Sequence, residues 1–199
     1  RNSNCVLAHG GSGTTTLSHP LRVENNDYEN YLRGEGIDIG GGFDTVQTPH
    51  GTVRAWDIND GDAQFMAGVP DDTYDFVYSA HCLEHLRNPS VALSNWCRIL
   101  KPGGCLFVAV PDWELYEQGN WPSRFNHDHK FTFSTKVRAC DIEREDHCNV
   151  DEDIRPILEA NGVDLEIVRV EDRGYDHSLK DVDQTSGRFN ALAQICMIG

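Results

Sequence analysis

The sequence predicts an α/β protein built on an open sheet of mostly parallel strands. Apolar segments of strand length alternate with helical segments along the 199 residues, the pattern of a parallel sheet with helices on both faces. Residues 105–110 are entirely apolar, as in a strand buried on both sides. Three glycines, Gly40 to Gly42, directly follow the first strand. A glycine loop at the carboxyl end of a parallel strand is typical of a ligand-binding sheet.

The first third of the chain contains one predicted helix and two predicted strands. Residues 1–20 are rich in Gly, Ser, Thr and Asn with little periodicity, which predicts an extended arm. Residues 21–33 carry apolar residues at loosely helical spacing and end at Gly34, a residue type common at helix C-termini. Strands are predicted at 36–39, leading into the glycine loop, and at 53–58.

The middle of the chain has a strand, a helix and another strand. The strand at 74–79 follows a Pro-Asp-Asp turn. The helix at 89–100 begins after Asn88, a favourable N-cap, and ends at a Lys-Pro-Gly-Gly sequence. The strand at 105–110 ends at Pro111. This order indicates one parallel sheet with its helices on the outside.

The last third contains a long polar segment and three further elements. Residues 112–148 are aromatic and polar with weak periodicity, which predicts a lid or substrate-binding insertion. A helix at 151–160 ends at an Asn-Gly pair, and strands follow at 163–170 and 189–198. We expect the whole chain, 1–199, to form a single domain.

Composition narrows the range of partners. The formal charge of −15 and the pI near 4.8 argue against nucleic acid, which proteins bind through clustered Lys and Arg. The seven cysteines form no Cys-x-x-Cys pair and are predicted to be buried thiols in a reducing compartment. No apolar segment of about 18 residues is present. We therefore expect a cytoplasmic monomer or homodimer with neither a membrane nor a nucleic-acid partner.

An ordered series of motifs resembles one enzyme family. It consists of Asp-Ile-Gly-Gly-Gly at 38–42, an Asp at 57, Gly-Asp-Ala at 61–63, Ser-Ala-His-Cys-Leu-Glu-His-Leu at 79–86, and Ile-Leu-Lys-Pro-Gly-Gly at 99–104. In this order the motifs resemble a compact branch of the class I S-adenosylmethionine-dependent methyltransferases, over about residues 34–112. The resemblance implies a Rossmann-like sheet of six to seven strands whose last strand is antiparallel. It also implies S-adenosylmethionine as cofactor and S-adenosylhomocysteine as product.

The resemblance further implies a cofactor site at the carboxyl ends of the strands. The carboxylate of Asp38 suits the ammonium group of the methionine moiety. Asp57 suits the ribose hydroxyls, and Asp62 suits the adenine amino group. The complete expected set is Asp38, Gly40, Gly41, Gly42, Asp57, Asp62, Ala63, Ser79, His81 and His85.

Two connections are shorter than the family pattern requires. Ten residues separate Gly42 from Val53, too few for a regular crossover helix, and only three separate Asp57 from Gly61. We therefore expect a helix to be shortened or lost, and about six strands instead of seven. The short second connection leaves open whether Asp57 or Asp62 binds the ribose.

Residues 81–85 also fit a zinc-hydrolase pattern. In His-x-x-Glu-His, two histidines one helical turn apart bind zinc and the glutamate activates water. That alternative needs a helical segment and a further acidic ligand, for which the candidates are Glu114, Glu117 and Glu143. None of these lies in a recognisable partner motif. We favour the methyltransferase interpretation, which predicts no metal.

The residues that contact the methyl-accepting substrate are predicted to lie within 120–133. Methyl transfer is an in-line displacement in which the protein aligns the nucleophile, and a hydroxyl nucleophile also benefits from a base. The segment combines His127, Asp128 and His129 with four aromatic residues, whose faces suit sugar rings or planar substrates. His129 is our first candidate for the base and His127 the second. The alternative is a lid that these three residues hold by hydrogen bonds without any proton transfer.

Several functions are compatible with these patterns. The leading one is O-methylation of a small molecule or a sugar or glycan hydroxyl, because the 120–133 pattern together with residues 176–184 resembles proteins of glycan assembly. The second is N- or O-methylation of a natural-product scaffold. A cofactor-binding module without catalysis is the third, and zinc hydrolysis is a remote fourth.

Overall fold

The computed structural model describes residues 13–199 and is centred on a six-stranded sheet. The strands in chain order are β1 (Gly34–Ile39), β2 (Gly51–Trp56), β3 (Tyr74–Ala80), β4 (Leu100–Pro111), β5 (Thr132–Ser134), β6 (His147–Asn149), β7 (Ile167–Glu171) and β8 (Gln194–Ile198). The main sheet has the order β2-β1-β3-β4-β8-β7, while β5 and β6 form a separate parallel pair. In the main sheet β8 is antiparallel to both of its neighbours, and the other pairs are parallel. The predicted α/β fold, with six strands and an antiparallel last strand, is confirmed.

Helices and their connecting segments cover both faces of the sheet. The helices are α1 (Thr14–Glu24), α2 (Asp27–Asn30), α3 (Pro89–Arg98) and α4 (Arg155–Ala160). On one face, Trp96 of α3 and Leu158 of α4 belong to the same apolar cluster as Val77 of β3. On the other face, Tyr28 of α2 packs with Phe76 and its neighbours. Successive residues of β3 therefore enter opposite cores, as expected of a strand covered on both sides.

The first helix, α1, begins earlier in the chain than the sequence predicts. An extended arm is predicted to residue 20 and a helix over 21–33, but residues 14–20 are already helical and α1 ends at Glu24. Only Asp27–Asn30, the short α2, continues the predicted helix. The buried residues of α1 are polar, Ser18 and Arg22, so apolar periodicity does not mark where this helix begins. Arg22 forms a bidentate pair with Glu171 at 2.5 and 2.8 Å. Residues 1–12 of the predicted arm lie outside the described residues.

Several element boundaries also differ from prediction. β4 begins at Leu100, so the Lys-Pro-Gly-Gly sequence lies inside the strand, where the pairing with β3 is irregular. The helix predicted at 151–160 begins as a π-helical turn, Val150–Ile154, before α4. The two last strands of the main sheet are shorter than predicted because each begins several residues later.

The connection between β1 and β2 is short, as predicted. It contains only a 3₁₀ turn, Gly42–Asp44, and the segment between β2 and β3 consists of turns. The edge formed by the ends of β1, β2 and β3 is therefore bordered by loops and not by long helices. Within residues 13–199, no helix has the length and apolar character needed to cross a bilayer.

Candidate active site

The glycine loop connects the end of β1 to the neighbouring strand. Gly40 has a φ of +82°, which favours glycine, and its amide donates to the carbonyl of Trp56 at 2.8 Å. A Cβ added at Gly41 would lie 2.6 Å from Oδ2 of Asp38. The loop backbone thus approaches the Asp38 carboxylate so closely that a side chain at residue 41 would displace one of them.

Asp38 is a fully buried carboxylate whose two oxygens differ. Its Oδ2 accepts a hydrogen bond from the amide of Val46 at 2.6 Å, whereas its Oδ1 has no hydrogen-bond partner among the described residues. Burial raises the pKa of Asp38 to about 7, despite the opposing bond from Val46. An ammonium group near Oδ1 would donate the missing bond and favour the charged carboxylate. The chemistry of this residue therefore fits the methionine moiety of S-adenosylmethionine.

A pocket lies beside the loop at the ends of β1 and β2. Three of the expected cofactor residues, Gly40, Asp57 and Ala63, line it. Asp62 is exposed and is not among the lining residues, and its Oδ1 accepts a bond from the amide of Gln64 at 2.9 Å. The complete lining is Gly40, Trp56, Asp57, Ile58, Gly61, Ala63, Cys82 and Leu86.

Three other expected cofactor residues make contacts outside this pocket. Ser79 donates to the carbonyl of Ile39 at 2.9 Å, which ties the end of β3 to the end of β1. His81 contacts Gln194, and His85 contacts Asp128. The segment 81–86 therefore has two sides, because its Cys82 and Leu86 line the pocket while its histidines take part in a second cluster.

This second cluster, the Glu84 cluster, consists of Glu84, His81, His85 and His129. Oε1 of Glu84 lies 3.7 Å from Nδ1 of His81, 3.7 Å from Nε2 of His85 and 3.9 Å from Nε2 of His129. The side chains of Glu84, His85 and His129 are at most 5% exposed. The loop that carries His129 is fixed to the same turn, because the amides of the next two residues donate to the carbonyl of Glu84 at 2.8 and 3.1 Å.

In each histidine of the Glu84 cluster, the ring nitrogen that points away from Glu84 has a hydrogen-bond acceptor. Nδ1 of His85 lies 3.0 Å from a carboxylate oxygen of Asp128, and Nδ1 of His129 lies 2.7 Å from one of Glu117. A carboxylate can only accept, so in each neutral ring this nitrogen carries the proton. The opposite nitrogen, which faces Glu84, therefore presents its lone pair.

Gln194 sets the tautomer of His81 in the same way. The amide nitrogen of Gln194 donates to Glu171 at 2.7 Å and to Ser18 at 3.2 Å, so its oxygen accepts the bond from His81 at 2.9 Å. Burial lowers the pKa of His81 and that of His85 to about 4. Both rings are therefore neutral near pH 7, and their Glu84-facing nitrogens are unprotonated.

The three predicted catalytic residues lie in different surroundings. His129 is buried within the Glu84 cluster. Asp128 is half-exposed and pairs with His85 at 3.0 Å and with Lys130 at 3.3 Å. His127 is exposed. The structure thus brings His129 and Asp128, but not His127, into direct contact with residues of the 81–86 segment.

Two residues of this arrangement were not assigned by the methyltransferase interpretation. The sequence patterns predict Glu117 only as a candidate zinc ligand, and they place Gln194 in a largely apolar strand. Gln194 is 113 positions from His81, and Glu117 is 12 from His129, so no local motif joins either pair. A polar residue in the otherwise apolar last strand is the one sequence signal that pointed to Gln194.

The geometry does not match the zinc-hydrolase alternative. That pattern requires both histidines on one helical face, whereas Leu83–His85 is a single 3₁₀ turn and His81 precedes it with a φ of +55°. Glu84 lies among the histidines, at 3.7 Å from each of the two in the motif.

Comparison with known proteins decides the family. A family model described as a methyltransferase domain matches residues 11–165, more than half of the chain. The chain belongs to this methyltransferase family. The expected kinship with class I S-adenosylmethionine-dependent methyltransferases is confirmed, and with it an enzyme that uses this cofactor. The methyltransferase sequence matches no curated protein.

Solved structures share the fold of this methyltransferase at low sequence identity. An S-adenosylmethionine-dependent methyltransferase of Thermotoga maritima, described as a possible histamine N-methyltransferase, is 19% identical with a TM-score of 0.51, over 92% of this chain and 98% of that one. Methyltransferases of the same cofactor class from Archaeoglobus fulgidus and Mesorhizobium loti also have TM-scores of 0.51. The Archaeoglobus fulgidus protein is 15% identical over 94% of this chain and 94% of its own length. The Mesorhizobium loti protein is 14% identical over 92% of this chain and 96% of its own length.

Proposed function

We propose that this methyltransferase transfers the methyl group of S-adenosylmethionine to a hydroxyl of a small molecule or sugar. The observation that carries the proposal is the position of residues 81–86 between two sites. Cys82 and Leu86 line the pocket beside the glycine loop, while Glu84 lies among three histidines. A cofactor site and a site with proton-accepting groups thus share one short segment, as a methyl transfer to a hydroxyl requires.

On the cofactor side, six residues define the proposed contacts. Asp38 binds the ammonium group, and the glycine backbone at 40–42 leaves room for the methionine moiety. Asp57 binds the ribose, because it lines the pocket and Asp62 does not. Ala63 lies at the adenine, and its position is fixed by the indole of Trp96, which donates to its carbonyl at 2.9 Å. When bound, the cofactor supplies an activated methyl group on a sulfonium, and these residues hold and orient it.

On the acceptor side, we assign proton removal to the Glu84 cluster, with His129 as the first residue to test. The bond between Nδ1 of His129 and Glu117 fixes the ring and stabilises the imidazolium that forms when Nε2 takes a proton. The buried position of the ring keeps bulk water away, which favours transfer to the acceptor over side reactions.

The surroundings of His129 suit a small ring-shaped acceptor. The ring of Tyr116 lies 5.2 Å from that of His129 and 5.8 Å from that of Phe125, and aromatic faces pack well on sugar or planar rings. The charge of −15 disfavours polyanionic acceptors. We propose that residues 112–148 form the wall and lid of this acceptor site within a single domain.

The test combines calorimetry with a transfer assay. S-adenosylmethionine and S-adenosylhomocysteine are titrated into the protein, and methyl-labelled cofactor is then incubated with sugars, phenols and amines. We expect binding of both compounds and labelled product from hydroxyl acceptors. Product from amines alone would replace the hydroxyl proposal by N-methylation. Cofactor binding without product from any acceptor would favour a binding module, and no binding would overturn the assigned pocket.

A further inference from the structure

The Glu84 cluster has the composition and geometry of a metal site. We propose that Glu84, His85 and His129 bind one divalent transition-metal cation. The ligand atoms of these three buried residues all lie within 4.8 Å of one another. One carboxylate and two imidazoles form a ligand set suited to zinc, cobalt, manganese or iron, and not to calcium or magnesium, which prefer oxygen ligands. The proposal replaces the sequence-based expectation that the site has no metal.

The tautomers of the two histidines favour a cation. His85 donates its Nδ1 proton towards Asp128, and His129 donates its Nδ1 proton to Glu117. In the metal-binding form, in which both rings are neutral, their Nε2 lone pairs face the same carboxylate, that of Glu84, at 3.7 and 3.9 Å. Metal-bound histidines characteristically donate their other ring proton to a carboxylate, which orients the ring and increases its basicity. Both histidines of the proposed site have such a partner.

The distances require little rearrangement. Ligand atoms about 2.1 Å from a tetrahedral zinc lie about 3.4 Å from one another. The two separations from Oε1 of Glu84, 3.7 and 3.9 Å, exceed this by a few tenths of an ångström. The third separation, between the nitrogens of the two histidines, is at most 4.8 Å, so rotation of the two rings towards each other would close the site around a cation. Three protein ligands also leave one position open, as in catalytic and not structural zinc sites.

The backbone holds the three ligands together without the cation. Glu84 and His85 are adjacent in the 3₁₀ turn, and the amides of Lys130 and Phe131 bind the carbonyl of Glu84. His81 lies beside the same carboxylate, but its Nδ1 is outside the group of mutually close ligand atoms, so we assign it to the wall of the site.

What the cation does there depends on the proposed function, but its binding does not. An acceptor hydroxyl at the open position would have a lowered pKa, because a divalent cation stabilises the bound alkoxide. In that form His129 holds the cation, and the hydroxyl proton passes instead to Nδ1 of His81, whose lone pair faces the same carboxylate. The structural reason for the bond of His129 to Glu117 is then orientation of a ligand.

The test is a titration of the metal-stripped protein with Zn²⁺ by calorimetry, and with Co²⁺ by visible absorption. We expect one equivalent of either metal, and for Co²⁺ a spectrum of nitrogen and oxygen ligands. Glu84→Gln and His129→Asn should each weaken Zn²⁺ binding more than about 100-fold, and Glu117→Gln about tenfold, because it removes only the partner of a ligand. Thermal unfolding of each metal-free variant checks that it folds.

Two histidine variants serve as controls. His177→Ala removes an exposed histidine, and His147→Asn removes a buried one bound to Thr132 and Val137. Both should bind Zn²⁺ as the parent does. The proposal fails if the parent binds no metal, or if folded Glu84→Gln and His129→Asn bind as tightly as the parent. Cofactor binding without metal binding would overturn this site alone, whereas metal binding without cofactor binding would overturn the proposed function alone.

Discussion

The glycine-loop pocket and the Glu84 cluster share residues 81–86 but are built in different ways. The pocket depends on backbone shape, since a single Cβ at Gly41 would reach the Asp38 carboxylate. The cluster depends on side chains from three more distant segments, which contribute Glu117, His129 and Gln194. Because the two sites use different kinds of interaction, substitutions can separate cofactor affinity from acceptor chemistry.

The largest effect is expected for Gly41→Val. The new side chain must displace either the loop or Asp38, and the lost bond to the charged ammonium group contributes up to about 3 kcal/mol, roughly 100-fold in affinity. We expect S-adenosylmethionine affinity, measured by calorimetry, to fall by about that factor. Gly68→Ala is the control: its Cβ meets no atom within 4 Å, and its φ of +84° makes the substitution cost stability, about 1 kcal/mol, but it should leave affinity unchanged. Equal affinity in both variants would show that the loop does not contact the cofactor.

His129→Ala is expected to lower turnover and to leave cofactor affinity unchanged. Loss of a group that assists proton removal lowers turnover about 100-fold, while the pocket on the other side of residues 81–86 keeps its lining. The kcat should therefore fall with cofactor affinity unchanged, as measured by steady-state assay and calorimetry. His177→Ala, at an exposed position, should retain parental kcat. Unaltered turnover in His129→Ala would remove this residue from the chemistry.

The contrast between the two sites also explains what the sequence could predict. The glycine loop, Asp38 and Asp57 lie within 20 consecutive residues, so strand periodicity and turn residues placed them at neighbouring strand ends, and the family resemblance assigned them to a cofactor site. The partners of the histidines come from distant positions, and no periodicity relates Gln194 to His81. The same limit applies to α1, whose contact with the sheet uses buried Arg22 and Ser18, so no apolar pattern marks where the helix begins.

A smaller effect is expected for Asp57→Ala. A hydrogen bond to a charged group contributes about 1.5 kcal/mol at a partly exposed residue such as Asp57, so losing it should weaken S-adenosylmethionine binding about tenfold. Asp62→Ala is the matched comparison, since Asp62 lies outside the pocket lining, and calorimetry should show little change. The reverse result, with only Asp62→Ala impaired, would assign the ribose to Asp62.

The smallest effect is a pH dependence at Asp38. Burial raises the pKa of Asp38 to about 7, and only the ionised carboxylate attracts an ammonium group. Affinity should therefore be lost as pH falls through 7, by about eightfold between pH 7.5 and 6. The stability of the cofactor-free protein should change in the opposite direction. Because the folded pKa of this acid is raised, protonation of Asp38 favours the folded state as pH falls from 7 towards 4.

The control for the pH dependence of affinity is Asp38→Asn, which keeps the shape of the side chain without its charge. This variant should bind S-adenosylmethionine weakly at every pH from 6 to 7.5. A parental affinity that does not change from pH 7.5 to 6 would place the ammonium group away from Asp38.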